Sequence, residues 1–176
     1  MRPSRCAFFI AVSLLAVSLQ ACFPGGGAHA QSSAATSPED IALAEKIMSC
    51  LQTGSTGAMM IDAAMEMLGT PYVAGTLDEG DKEELRISLT RTDCMIFVET
   101  CLNLARTVRE YGKDTDFDRF ASLVRQTRYR DGEISDYCDR LHYTTEWIRQ
   151  GEKEGVLKDL TMDLGGRTYV HKISFM

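Results

Sequence analysis

The stretch that most constrains this chain is Thr92-Asp93-Cys94-Met95-Ile96-Phe97-Val98-Glu99, the opening of the longest unbroken helical pattern in the sequence. Thr92 or Asp93 can accept an orphan backbone N–H and so cap a helix. From there Cys94, Phe97, Cys101, Leu104 or Ala105, and Val108 keep the 3, 4, 3, 4 spacing of one helical face, which predicts a helix from Asp93 to Tyr111. The pattern places a thiol where that helix begins. Free N–H groups and the positive end of the macrodipole favour a thiolate there, which makes Cys94 a candidate nucleophile. Its position on the apolar stripe with Cys101 supports a second reading, a small buried hydrophobe. Spacing alone does not choose between the two.

Ahead of this, Met1-Arg2-Pro3-Ser4-Arg5 precedes an apolar run from Cys6 to Leu19, with no acidic residue before Glu39. That is the layout of a secretory signal peptide, and the run is too short to span a membrane. Two exits are legible. Leu19-Gln20-Ala21-Cys22 resembles a lipobox, with a signal peptide over 1–21 and Cys22 as the lipid-attachment residue; Ala28-His29-Ala30 is a small-x-small site that would end a signal peptide at 30. A Pro-Gly-Gly-Gly segment after Cys22 suits a tether. Either exit predicts an exported, periplasmic protein that meets a membrane only through a lipid on Cys22.

Losing Arg2 and Arg5 with the leader moves the formal charge from −6 to −8. An acidic balance argues against nucleic acid as a partner. The remaining 155 or 146 residues suit one domain, with a Gly-, Ala- and Ser-rich linker over 22–36 and the domain over 37–176. Cys50, Cys94, Cys101 and Cys138 lie in the body, so pairing is open in an oxidising compartment. Cys94 and Cys101 cannot bridge, since seven residues of helix separate them by roughly 10.5 Å. No C-x-x-C metal spacing occurs.

Ser37-Pro38-Glu39-Asp40 reads as a helix start, followed by the stripe Ile41, Ala44, Ile47 or Met48, and Leu51. A second helix is predicted over 58–68, stopped by Gly69-Thr70-Pro71. Residues 72–77 read as extended or irregular, the acidic stretch 78–84 as a solvated loop, and Arg86-Ile87-Ser88-Leu89 as a short strand. After Gly112, the residues Phe117, Phe120, Leu123 and Val124 mark another helix to about Thr127, and Tyr129–Leu141 reads as a long loop of the kind that often carries function. Thr144 or Thr145 can cap a helix carrying Trp147 and Ile148. Residues 156–161 and 168–175 look like two strands of a hairpin joined through Leu164-Gly165-Gly166. Helices first and strands last is an α+β layout.

Ala64-Met65-Glu66-Met67-Leu68-Gly69-Thr70-Pro71-Tyr72-Val73-Ala74-Gly75 followed by Asp93-Cys94 and Phe97-Val98 resembles the NlpC-type papain-like superfamily of bacterial cell-wall cysteine amidases and peptidases. Tyr129-Arg130-Asp131-Gly132, Arg140-Leu141-His142-Tyr143, Glu146-Trp147-Ile148 and Lys158-Asp159-Leu160-Thr161 narrow the resemblance to its N-acetylmuramoyl-L-alanine amidase-like branch. The resemblance covers about Ile41 to Met176. It implies a papain-like α+β fold with N-terminal helices packed on an antiparallel sheet. It also implies hydrolysis of the amide joining N-acetylmuramic acid to L-alanine in muropeptides, with no metal or organic cofactor. Matched residue by residue, it makes Cys94 the nucleophile and puts Tyr72 beside the thiol in the substrate groove.

Acyl transfer by a thiol needs a base, normally a histidine. The three available are His29, in the leader or linker, His142 and His171. In the families resembled, the catalytic histidine opens a sheet strand in a Gly-Asp…His-Val-Gly context absent here, and in this branch that strand falls beyond Met176. The resemblance therefore implies a C-terminally truncated domain with an incomplete sheet, for which a non-catalytic peptidoglycan-binding remnant is the rival reading. His142, beside Arg140 and Tyr143, is the in-chain candidate base or else a substrate-binding residue; His171 reads as an exposed strand position. Arg140 can bind a muropeptide carboxylate or pair on the surface with Asp136, Asp139 or Glu146, and Tyr143 joins it as a substrate-binding candidate. Trp147 reads as core on its spacing, with a sugar platform as the alternative. Glu99 and Asp159 are either supports for the site or ordinary charges.

Overall fold

The computed structural model describes residues 36–167 and Tyr169. The proposed signal peptide, Cys22, the linker to residue 35, His29 and His171 lie outside the described residues. The helices run α1 Pro38–Cys50, α2 Thr56–Glu66, α3 Cys94–Tyr111, α4 Phe117–Arg128 and α5 Thr144–Lys153, with short 3₁₀ turns at Arg130–Gly132 and Tyr137–Asp139.

Four of these helices begin at a short polar side chain that takes up an orphan N–H. Ser37 accepts from Asp40 N, Ser55 from Ala58 N, Asp93 from Met95 and Ile96 N, and Asp116 from Arg119 N. The second helix thus starts two residues earlier than the apolar pattern predicts, because Ser55 caps and Thr56 and Gly57 are carried into the first turn. At its end Gly69 takes φ +90°, a left-handed conformation that glycine adopts without a Cβ clash, and the chain turns into Pro71.

α3 is the central helix. It packs against α1, α2 and α4, and it is buried from Glu99 through Ala105 without a break. A single apolar stripe was the expectation; α3 is instead enclosed on most of its faces below the first turn, as a helix must be when neighbours cover several sides. Its buried polar residues are answered within the protein. Asn103 Nδ2 donates to Glu99 O at 3.0 Å, and Asn103 Oδ1 accepts from Arg106 and from Thr127 Oγ1 of α4, each at 3.0 Å. Around it Ile47, Met48, Leu51, Met59, Leu89, Leu104, Phe120 and Val124 form the core.

The α+β expectation is overturned: no strand occurs among the described residues, and the papain-like sheet has no counterpart there. Extended pairing is limited to isolated bridges, Tyr72 with Thr92 and Tyr129 with Arg140. The two strand-like segments find other partners for their backbone. In 86–90 the Leu89 and Thr90 amides donate to one oxygen of Asp40, at 2.7 and 2.9 Å, so that segment is satisfied by a carboxylate instead of a ladder. In 156–166 the amides close turns, Thr161 N on Asp159 Oδ1 at 2.8 Å, Leu164 N on Leu160 O at 3.0 Å and Gly166 N on Thr161 O at 2.7 Å. The second predicted strand, 168–175, lies outside the described residues apart from Tyr169.

Asp40 ties α1 to the segment leading into α3. Its other oxygen accepts from Ser37 Oγ at 2.6 Å, and Thr90 Oγ1 and Ser88 Oγ add bonds at 3.0 and 3.3 Å. Burial alone would raise this carboxyl, but the bonds from Ser37, Leu89 and Thr90 outweigh it and hold the pKa below the ordinary carboxylate value of 3.8. A carboxyl lowered on folding stabilises the fold above its unfolded pKa, and that contribution disappears as pH falls through the folded value. Asp40→Asn is therefore expected to cost about 1–3 kcal/mol at neutral pH. In urea unfolding followed by circular dichroism the gap to the parent chain should close in strong acid, and a gap independent of pH would remove the charge from this account.

Candidate functional site

The start of α3 is positioned by two strips of backbone. Val73 N donates to Thr92 O at 2.9 Å and Thr92 N to Pro71 O at 3.1 Å, so the turn after α2 lies alongside the residues that precede the helix. Tyr72 is thereby held next to Thr92, two residues before Cys94, with 70% of its surface exposed. Cys94 is exposed as the first helical residue. The buried-hydrophobe reading thus belongs to Cys101, which is 2% exposed and whose thiol burial pushes up to about 11. Asp93 Oδ1 takes the N–H groups of Met95 and Ile96, both at 2.9 Å, leaving the Cys94 N–H as the first-turn donor nearest the sulfur.

A cavity of about 220 Å³ opens on this helix start. Asp93, Met95, Ile96 and Glu99 supply one wall, Gly75, Leu77 and Asp78 a second, and Tyr137, Arg140, Leu141, His142, Thr144 and Trp147 a third. Arg128 reaches it from the end of α4. The cavity is lined by Arg140 and His142 of the sequence candidates, whereas Cys94, Tyr72 and Tyr143 stand outside its lining. Thr144 Oγ1 meets Met95 Sδ at 3.8 Å, so the loop that carries His142 and Tyr143 abuts the first turn of α3. Tyr143 is exposed at the start of α5, where its carbonyl accepts from Glu146 N and Trp147 N.

The floor is an ion pair. Arg128 donates through Nε and through a terminal nitrogen to one oxygen of Glu99, at 2.8 and 2.6 Å, and both side chains are almost fully buried. Arg128 also donates to the Arg86 carbonyl. Arg140 is 5% exposed and paired with Asp78 at 2.5 Å and Glu83 at 3.6 Å, while its guanidinium lies 5.0 Å from the centre of the Tyr137 ring. The surface partners expected for it, Asp136, Asp139 and Glu146, are engaged elsewhere: Asp136 and Asp139 cap the turn between them and Glu146 meets Arg130 at 3.5 Å. Burial works against the Arg140 charge, but Asp78 and Glu83 more than offset it and its pKa lies above the ordinary value. Glu83 also accepts from the Tyr129 hydroxyl at 2.7 Å. Burial first, and then this bond, push the Tyr129 phenol well up, so it remains a donor.

His142 is exposed, with its ring 4.1 Å from that of Tyr137 and its Nε2 2.7 Å from the Tyr137 carbonyl. A carbonyl oxygen only accepts, so Nε2 carries hydrogen and Nδ1 is the free basic nitrogen of the neutral ring. Asp159 is exposed and accepts from Thr161 within its own turn. No group of three His, Cys, Asp or Glu side chains among the described residues is arranged to hold a metal ion.

Sequence reading missed Arg128, Tyr137 and Asp40. The available signal was Glu99, a charge among residues of a continuous buried helix, which demands a buried cation; nothing in the chain order points to Arg128, 29 residues later.

A family model described as AmiA-like, N-acetylmuramoyl-L-alanine amidase-like, matches residues 62–175. Among solved structures, the chain is similar to a proposed xylanase from Bacteroides fragilis, 37% identical over 57% of this chain and 42% of that one, with TM-score 0.53. Two structures of an N-acetylmuramoyl-L-alanine amidase from Bacteroides uniformis ATCC 8492 are each 36% identical; one covers 57% of this chain and 41% of its own with TM-score 0.51, the other 61% and 44% with TM-score 0.55. The chain spans less than half the length of the solved structures it matches. No curated protein sequence matches it.

Two outcomes follow from the geometry. Alkylation of the folded protein at neutral pH, mapped by peptide mass, should modify Cys94 readily and leave Cys101 untouched until pH approaches about 11; equal protection of the two would contradict the exposed helix start. Arg128→Met should cost about 3–5 kcal/mol in urea unfolding, because it strands a buried carboxylate. Adding Glu99→Leu to that variant should recover much of the loss, and strictly additive effects would show that the pair is not coupled.

Proposed function

The chain belongs to the N-acetylmuramoyl-L-alanine amidase-like family, and from that premise we propose that it is an exported peptidoglycan hydrolase, a cysteine amidase acting on muropeptides. The observation that carries the reading is Cys94, an exposed thiol on the first residue of the central helix, between Asp93 and Met95, which line the cavity. The Bacteroides uniformis structures carry the name of the same amidase activity. The leader pattern before residue 31 supports export, with Cys22 as the residue a lipid would occupy.

In this mechanism the Cys94 sulfur attacks the lactyl carbonyl of the muramoyl–alanine amide. The thiol proton passes to a base, the carbon–nitrogen bond breaks, and the proton goes on to the leaving alanine amine. The thioester left on sulfur is hydrolysed by water, which regenerates the thiol and frees the lactyl carboxylate. The backbone N–H of Cys94 is the donor suited to the carbonyl oxygen as it takes up charge. Among the described residues His142 is the candidate base: Nδ1 is its free nitrogen, and its loop abuts Met95, the residue after the nucleophile. Tyr72, Arg140 and Tyr143 are the groups assigned to hold substrate, Tyr72 from beside the thiol and Arg140 from within the cavity, where a substrate carboxylate would compete with Asp78.

Purified full chain incubated with muropeptides should release free stem peptide, read by mass spectrometry. Cys94→Ala should abolish release, and His142→Gln should slow it roughly 10²–10⁴-fold. Release equal in the parent and Cys94→Ala proteins would end the cysteine mechanism. Binding of muropeptide with no release by either protein would assign a peptidoglycan-binding role instead.

A further inference from the structure

The turn that follows α5 holds three apolar side chains in water within five residues. Leu160, Met162 and Leu164 are 49%, 67% and 82% exposed. The turn is closed by its own backbone: Leu164 N donates to Leu160 O and Gly165 N to Met162 O, each at 3.0 Å, and Gly166 N to Thr161 O at 2.7 Å. Gly166 is needed there, since a Cβ at that position would lie 2.6 Å from Thr161 O. Glu152 of α5 accepts from Asp159 N at 2.7 Å and ties the turn to the helix. A contiguous apolar patch kept exposed on an ordered segment marks an interaction surface.

A second observation says what that surface meets. Between α5 and the turn lies a cavity of about 370 Å³, lined by Ile148, Arg149 and Glu152 on one side and Asp159, Thr161 and Arg167 on the other. Its carboxylates are already engaged, Asp159 with Thr161 N and Oγ1 and Glu152 with Asp159 N. Among the described residues Arg149 and Arg167 enter no hydrogen bond or ion pair. The formal charges of the lining cancel, so what it offers a ligand is two uncommitted guanidinium forks, and these match the oxygens of a phosphate. Phosphate beside hydrocarbon is the chemistry of a phospholipid interface. The other exposed apolar stripe, Ile61, Met65 and Leu68 after it, lacks this complement: the groove at its edge is lined by Asp62 and Glu66 and by no basic residue.

We propose that α5 and the 159–167 turn form a docking surface for a phospholipid bilayer, with Leu160, Met162 and Leu164 entering the acyl boundary and Arg149 and Arg167 holding headgroup phosphates. This contact is distinct from a lipid on Cys22 and does not rest on the hydrolase reading. The chain is acidic overall, so attraction to an anionic membrane comes from this turn alone and is sensitive to salt.

The test uses the Cys22→Ser full chain, which can carry no acyl group at that residue, with Leu164→Trp as a reporter at the tip of the turn. The same chain without the reporter has Trp147 as its one tryptophan and sets the background. With phosphatidylglycerol vesicles the added emission should move to shorter wavelength, and lipids brominated on their acyl chains should quench it. Quenching at this position reports insertion of the turn itself, whatever the leader does. Arg149→Gln and Arg167→Gln should each weaken vesicle binding roughly fivefold, and Met162→Ser roughly tenfold. Met65→Ser, on the α2 stripe, should leave it unchanged.

Absence of quenching by brominated lipid would overturn the docking surface, and so would full-strength binding by the double arginine variant. A shift that grows with protein concentration without lipid would overturn it in favour of a second copy of this chain. Calorimetric binding of inorganic phosphate with no binding of vesicles would overturn it in favour of a small-anion site. A chain that releases stem peptide while its turn stays in water keeps the hydrolase and loses the surface, so the two failures are separable.

Discussion

The pairing of Glu99 with Arg128 is the constraint on which the rest of this structure depends. Both groups are almost fully buried, and an ionised side chain out of water is tolerated only when a partner of opposite charge is held in good geometry. Here two nitrogens of one guanidinium reach one carboxylate oxygen, and a third nitrogen reaches the Arg86 carbonyl. The bond therefore fixes the register of α4 against α3 and pins the segment over 86–90 to both. That segment runs into Thr92 and Asp93, so the same ion pair that closes the helical core sets where α3 begins and where Cys94 stands.

The long connection from α4 to α5 is ordered by backbone capture instead of by a hydrophobic core. Gln150 Nε2 donates to the Gln126 and Tyr129 carbonyls at 2.6 and 2.8 Å, and its Oε1 accepts from Asp131 N at 3.2 Å. Asp131 has φ +52°, a left-handed conformation that aspartate tolerates better than most residues, and Lys153 meets its carboxylate at 2.7 Å. These bonds bring α5 back over the end of α4. Leu141 N on Arg128 O, at 2.9 Å, then delivers Arg140 and His142 to the cavity. The functional loop is thus built on the same arginine as the core, which couples the shape of the site to the integrity of the ion pair.

How legible this was differs by element. The caps at Ser37 and Asp93, the helix from Phe117 and the turn at Gly69 were readable because a cap or a breaker acts through bonds within a few residues. The extent of burial of α3 was not readable, since a spacing pattern shows which face is apolar and says nothing about how many neighbours cover the others. Segments 86–89 and 156–161 alternate like strands, yet a strand exists only when a partner ladder is available. In the first, a carboxylate on α1 takes the amides; in the second, local turns do. Arg140 was recognised as a residue of consequence, but its partners Asp78 and Glu83 lie about sixty residues earlier and were invisible to any argument from neighbours.

What the chain determines by itself is local: a thiol at a helix start with Thr92 or Asp93 to cap it, a proline-tyrosine turn ahead of it, and an apolar rhythm that requires several helices. Those outcomes depend on bonds spanning one or two turns, and such bonds are written in residue order. Only the tertiary structure decided that Cys94 is exposed while Cys101 is sealed and that Glu99 answers Arg128. Each of these is a choice between burial and exposure for a group whose partner arrives from another helix, and desolvation, which drives that choice, is a property of the assembled surroundings and not of the sequence around the residue.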